Sequence, residues 1–540
     1  MLRHSKDLAS RPGIERHAGA LAGLALVLAG PLAAQEAILE EVIVTAQRRE
    51  ASLQVTPVSV TAFSGEQLRE LSINDLAGIE RFAPNMNFSN SPAGSGGGNN
   101  AQIYIRGVGQ NDFLITTDPG VGLYVDGVYF ARSMGAIMNL MDVERVEVLR
   151  GPQGTLFGKN AVGGAINLVS NEPTEELRGD VELITGSRNR LDARGTVNLP
   201  LIPGQLLARL SASTRNQDGY GNRLLDGIEL GDVNEDAFRG SLLWLPSESL
   251  KLTLAGDYSR GREESVSQHL MTVDPTNAPL LNLWNALVGV PTGQPMTSAL
   301  VLDNPYDTLQ TGRSINDMDV WGISITADWR VAGLDVKSIT AYRDGDVDFS
   351  RDGDNSPAPY VETFNDTDQH QFSQELHASG LAFSDRLEWL AGVYYFDENA
   401  IDHTDVILAD GLFDALEALP AAVIPLAPVP CPPPPGVPAP CLGGPGNPLN
   451  PLFDLRFDVY NEIDIESVAV FGQGTYHLTD RLSATGGLRQ TWESKDYLLI
   501  HRRLNAGGFV VPPTNIGDSW SELTPRAGLE FQWTDDLMTY

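Results

Sequence analysis

VERVEVLRGPQGTLFGKNAVGGAINLVSNEP, Val143 to Pro173, is where one kind of sequence hands over to another. In its first part Val143, Val146 and Val148 sit among Glu144, Arg145 and Glu147, which reads as a short strand. Gly151-Pro152 ends that strand, because proline has no N–H to give to a ladder. After the Gly163-Gly164 break, AINLVS reads as a second strand. Upstream the chain reads as a compact α+β domain, and downstream come hundreds of residues of short alternating strands. The stretch is not a phosphate cradle: Gly158-Lys159 is followed by Asn160, and the position five before Gly158 is Gln153, where a Walker loop needs glycine. No HExxH or GxSxG occurs, so no catalytic residue is assigned.

Composition narrows the function classes. The chain has 540 residues, with 37 Lys and Arg against 70 Asp and Glu, a net charge of −33. Nucleic acid is excluded as a partner, since a phosphate-binding surface is basic; the charge reads as a solvated acidic surface. No run of 18 apolar residues exists outside the N-terminus, so membrane helices are excluded and alternating strands are the only way across a bilayer. Both cysteines, Cys431 and Cys441, lie in CPPPPGVPAPC. In an oxidising compartment they are expected to close a small loop. A metal pair is the alternative, with no His or second Cys pair nearby to complete it. No cofactor and no resident metal are implied.

Together with IRGVGQ (105–110) and YVDGVY (124–129), the stretch VEVLRGPQGTLFGKNAVGGAINLVS resembles the closing segment of the plug domain of TonB-dependent outer-membrane receptors. Three motifs in order over about 70 residues are far more specific than one glycine pattern. The resemblance implies a mainly β fold: an N-terminal α+β plug domain inside a transmembrane antiparallel β-barrel of about 22 strands. It also implies a place in the bacterial outer membrane, with outer-membrane lipid around the barrel.

Taken in order, residues 1–34 read as a signal peptide, with Arg3, Lys6, Arg11 and Arg16 before the apolar run Ala18 to Leu28. Residues 35–51 form an N-terminal segment containing Glu41, Val42, Ile43, Val44, Thr45 and Ala46, an alternating stretch suited to adding as a strand to a partner's sheet edge. It resembles the TonB box, which implies capture by the periplasmic domain of TonB with its inner-membrane energising complex. Residues 52–173 are the expected plug. Within it SGEQLREL has Ser64 and Gln67 at capping-box spacing, and Ser72 and Asp75 give a looser version. The loop GQNDFLITTDPG (109–120) is a natural outward tip, which makes Asn111, Asp112 and Phe113 candidates for touching substrate.

Residues 174–540 are the expected partial barrel. LDARGTVNL and WGISITADW alternate strictly, and Trp321 and Trp329 sit where aromatics meet the two membrane interfaces. Strands are expected near 180–186, 191–199, 206–214, 237–245, 250–258, 321–329, 334–342, 370–378, 387–396, 468–476, 482–491 and 524–532, with another beginning at Leu537. Tight turns such as PSES (246–249) alternate with long loops, the asymmetry of periplasmic and external ends. The acidic run Arg343 to Asp354 is expected to be a solvated loop, since Phe349 and Asn355 occupy the glycine and glutamate positions of a calcium loop. About 12 to 13 of the family's roughly 22 strands are readable, which suggests a fragment lacking the rest of its barrel.

The resemblance also implies that plug arginines, here Arg106 and Arg150, lock onto barrel glutamates. Strand parity points Glu375 and Glu493 inward, so they are the expected partners. The function implied is TonB-dependent active transport of a scarce ligand, foremost a ferric siderophore. Vitamin B12, haem or an oligosaccharide is the alternative cargo, and a passive porin the alternative class.

Overall fold

A computed structural model describes residues 43–540, except 46, 50, 90–99, 113, 134–139, 427, 429, 432–434, 436–440 and 535–536. The expected signal peptide lies outside the described residues, as do Glu41, Val42, Ala46 and Phe113.

The plug is built on a five-stranded sheet ordered Val60–Ser64, Val143–Arg150, Gly164–Ser170, Val121–Val125, Val128–Phe130. Its two inner strands from the Val143 to Pro173 stretch pair antiparallel, and Gly164–Ser170 then runs parallel to Val121–Val125. Central strands are covered on both faces, so their side chains are apolar with little alternation; Val146, Val148, Leu149 and Ile166 have no exposed surface. Gly164 is required where it sits, because a Cβ there would lie 2.1 Å from the Leu149 carbonyl oxygen. The helix Gly65–Glu70 starts with the reciprocal Ser64 and Gln67 capping box. Asp75 alone caps Leu76–Ile79, its side chain accepting from the Gly78 N–H.

Downstream, 13 strands form one antiparallel sheet in sequence order, from Arg178–Thr185 to Leu537–Thr539. On Asn316–Val331 the residues Trp321, Ile323, Ile325 and Trp329 are 40–53% exposed and face outward. The two tryptophans stand about 27 Å apart along the strand, of the order of the ~25 Å apolar band of such barrels. The plug lies in the concavity of this sheet. Arg194, near one edge, donates to Asn74 at 2.7 Å, and Thr524, near the other, lies against Gly154; one body reaches both only if the sheet curves around it.

The strands run much further outward than hydropathy suggests. Val361–Ala382 and Leu387–Leu408 have 22 residues each. Residues 343–352, expected as a loop, instead continue the strand Leu334–Asp352 and pair with Val361–Ala382. The expected loop 492–523 likewise belongs mostly to Leu482–Arg503 and Phe509–Thr534. Beyond the lipid both faces are polar, so a ladder held by backbone bonds leaves no apolar alternation to read.

The two longest connections, 264–315 and 409–455, share a core of their own above the barrel. Helices Pro279–Trp284 and Leu412–Glu417 meet there around Trp284, which is fully buried, stacks edge-on against Tyr360 and donates from Nε1 to the Asp410 carbonyl at 2.8 Å.

Candidate functional site

Glu147 stands in the middle of Val143–Arg150 with 0% exposure. A carboxylate this deep needs partners, and it accepts from Arg145 Nε at 2.8 Å and from the Thr45 N–H and hydroxyl at 2.8 and 3.0 Å. Asn167 Nδ2 donates in turn to Thr45 Oγ1 at 3.0 Å. Thr45, one residue of the expected TonB box, is thereby held on an inner strand of the plug sheet. Val44 beside it is fully buried, and Ile43–Val44 pairs antiparallel with Ala51–Ser52.

The residues just after the box reach the barrel wall. Arg48 Nη2 lies 3.3 Å from Glu375 Oε2, with both side chains under 10% exposed. Its guanidinium also packs over the rings of Phe157 and Tyr124, 4.6 and 5.4 Å from their centroids. The Tyr124 hydroxyl donates to the Phe157 carbonyl at 2.8 Å, and burial pushes that phenol up to about 12. Arg49 pairs with Glu388, one residue after the short turn into Leu387–Leu408. Short turns mark the periplasmic end, so the segment sits at the end where TonB would act.

The far end of the plug carries a second set of ion pairs. Arg132 Nε meets Glu398 at 2.7 Å, and Lys159 meets Glu493 at 3.4 Å with its ammonium 5.1 Å from the Phe396 ring. Lys495 bonds Asp118 and lies 3.8 Å from Glu493. Burial alone would raise the Asp118 carboxyl, but Lys159, Lys495 and Arg132 together hold it below the usual carboxylate range. Burial would likewise lower Arg132, and Glu398 and Asp118 outweigh it.

The expected lock is therefore corrected in its cations. Glu375 and Glu493 do face the plug, at 4% and 7% exposure, but neither meets Arg106 or Arg150. Arg106 has φ +53 in an exposed turn that bends back onto the plug, and its Nη2 reaches Ser59 Oγ at 3.2 Å. Arg150 ends its strand and reaches the Pro84 carbonyl at 3.4 Å. The cations that do reach are Arg48 and Lys159, residues whose only sequence signal was proximity to the box and to a failed phosphate motif.

Asn111 and Asp112 are exposed at the tip of their loop. Gln102 donates to the Asn111 carbonyl and side-chain oxygens at 3.0 Å, and Asp112 accepts from the Leu114 N–H and the Thr117 hydroxyl. The same loop carries Asp118, which ties the tip to the wall. Cys431 and Cys441 are bonded to each other, with Cα atoms 6.0 Å apart. Among the described residues one group, His403, Asp405 and Asp458, converges at metal-ligand spacing, and Arg502 already pairs with Asp458 at 2.7 Å.

Residues 52–165 match the TonB-dependent receptor plug domain, and residues 303–540 match the TonB-dependent receptor-like β-barrel. The pesticin receptor of Yersinia pestis is 34% identical over 204 residues, which is 37% of this chain and 29% of that receptor. Among solved structures, the ferric yersiniabactin uptake receptor of Yersinia pestis superposes with a TM-score of 0.66 at 20% identity, covering 89% of this chain and 63% of that one. The siderophore receptor PiuA of Acinetobacter baumannii does so with 0.65 at 16% identity, covering 90% and 64%. These two likenesses are likenesses of fold, and the chain spans less than two thirds of each of these three proteins. With plug and barrel models both matched in order, the chain belongs to the TonB-dependent receptors of the bacterial outer membrane.

Proposed function

We propose that the receptor takes up a scarce ligand, foremost a ferric siderophore, across the outer membrane with energy delivered by TonB. The observation that carries this reading is the docking of the segment around Thr45. Among the described residues its strand pairing is with the two-residue strand Ala51–Ser52, and it is pinned by Glu147, Arg48 and Arg49 at the short-turn end of the barrel. A grip held by a few polar contacts and one small strand can be exchanged for a partner's sheet edge, where backbone bonds supply the strength. Ligand arriving at the outer tip would act on the Asp118–Lys495–Glu493–Lys159 set, and the box would be presented below. A relative named as a ferric enterobactin receptor, 33% identical over 144 residues, supports an iron chelate as cargo, and vitamin B12 is the second reading because a vitamin B12 transporter is also among the relatives.

The test is growth of a receptor-deletion strain complemented with the receptor, on a panel of ferric chelates, B12 and glycans as sole sources. Removing residues 41–46 should abolish growth on the supported source and leave ligand binding at the cell surface intact. Growth that survives the deletion would instead mean a passive pore.

A further inference from the structure

The outer connection 409–455 leaves the barrel from the strand Leu387–Leu408 and returns into Arg456–His477, so its neck is the last few pairs of those two strands. Alternation fixes which side chains face out there. Glu398 reaches the plug, so Asp402 and Thr404 also point inward, where both are buried and bonded to Asn365. His403 and Asp405 therefore stand on the outer face. Asp458 joins them, because it lies opposite Asp405 in register.

Two carboxylates directly opposite each other across a strand pair are destabilising unless a positive charge answers both. Arg502 answers one: it donates from Nε and Nη2 to Asp458 Oδ1 at 3.0 and 2.7 Å. That leaves Asp458 Oδ2, and His403 Nε2 lies 2.9 Å from it. Asp405 is half-buried and has no hydrogen-bond or ion-pair partner among the described residues. One ligand atom from each of His403, Asp405 and Asp458 nevertheless lies within 4.8 Å of the other two. A protonated His403 bonded to Asp458 would still leave Asp405 unanswered.

We infer that His403, Asp405 and Asp458 form a site for a divalent transition-metal ion, Zn²⁺ or one of like chemistry, that clamps the neck of the 409–455 connection from outside the barrel. An imidazole nitrogen with two carboxylate oxygens suits such an ion, whereas Ca²⁺ and Mg²⁺ take oxygen ligands. Zinc binds these atoms at about 2.0–2.2 Å and keeps a fourth, tetrahedral position for water when a protein supplies three ligands. Drawing the set in to that distance falls to Asp405, which no other described group holds. Arg502 stays behind Asp458 and fixes the direction in which its second oxygen points. The His403 side chain is 45% exposed, so the ion enters from external water. Once bound, it bridges the two strands from which the cap around Leu412 and Leu442 hangs. The site does not depend on what the receptor carries.

The test is calorimetry of the full receptor in detergent, carrying no histidine tag and stripped with EDTA, titrated with ZnCl₂. One ion should bind per chain. His403→Ala and, separately, Asp405→Asn should each weaken that binding by more than the roughly tenfold that loss of a supporting group costs. His370→Ala, on the neighbouring strand and outside the group, should leave it unchanged. Asp405→Asn keeps the size of the side chain and breaks no bond to a described residue, so it carries the test if His403→Ala fails to fold. Zinc should also slow proteolysis within 409–455 in the unaltered receptor and not in Asp405→Asn. No zinc binding, or zinc binding that survives both substitutions as an adventitious ion only, overturns the site. Equal binding of CaCl₂ or MgCl₂ overturns the transition-metal assignment, and bound zinc that leaves proteolysis unchanged overturns the clamp.

Discussion

The wall from Val361–Ala382 to Leu482–Arg503 grips the plug, while the wall from Val233–Ser247 to Asn316–Val331 mostly stands off from it. On the gripping side Glu375, Gln371, Glu398 and Glu493 enter the plug surface, all with less than 10% exposure. On the other side Ser241, Thr253, Ser324 and Thr326 face a cavity of about 500 Å³ between wall and plug, and the Lys251–Glu172 pair lines it with side chains 33% and 53% exposed. The difference is one of degree, because Arg239 on the second wall still pairs with Asp126 of the plug, and Arg209 on the neighbouring strand Leu206–Gln217 holds Asp142 at 2.5–2.9 Å. Glutamates and a glutamine of the barrel enter the plug along one flank, whereas along the other the barrel supplies the arginines and the plug the aspartates.

The largest effect belongs to the gripping side. Glu375→Ala would leave the Arg48 charge buried without its partner and should destabilise the docked segment by about 3–5 kcal/mol. A spin label at Ile43 should become mobile. Arg48→Met combined with Glu375→Leu should restore immobility, because an apolar pair of similar volume tolerates burial; failure to recover would mean that the ion pair is not the fastening. Next in size, Glu147→Gln weakens the charge-assisted bonds from Arg145 and Thr45 and should loosen the segment by about 1.5–3 kcal/mol. Its readout is a higher yield of crosslinking between a cysteine at Ile43 and the TonB periplasmic domain.

Acid should act on the outer fastening. The Asp118 carboxyl is held below its ordinary 3.8, so the stability it contributes is present above that value and is lost as pH falls through the lowered one. A fluorophore on Asn111→Cys should report an unchanged tip from neutral pH to about pH 4 and release in stronger acid. Release between pH 5 and 7 would show that another group controls it. The smallest effect belongs to the standing-off side. Lys251→Ala, at an exposed pair, should change plug docking by about 0–1 kcal/mol, within the error of a denaturant titration.

Much of the architecture was legible because lipid and plug impose simple patterns. Alternation between Trp321 and Trp329 marks a membrane strand, and the strand, proline stop and glycine break after Val143 mark the centre of the plug. Strand extensions such as 343–352 were not legible, since above the lipid no face must be apolar. Parity points Glu375 and Glu493 toward the plug, but their partners depend on where turns aim the chain. Arg106 sits in a turn that folds back on the plug, whereas Arg48 arrives from a segment whose path no local pattern specifies.

The 22-residue strands also decide where the two-loop cap stands. A tilted strand crosses hydrocarbon in about 9–11 residues, so Val361–Ala382 and Leu387–Leu408 have roughly that many to spare. At about 3.3 Å per residue and a tilt near 45°, the surplus raises the rim by about 25 Å. The cap around Trp284 is carried like a lookout on a mast, clear of the head groups.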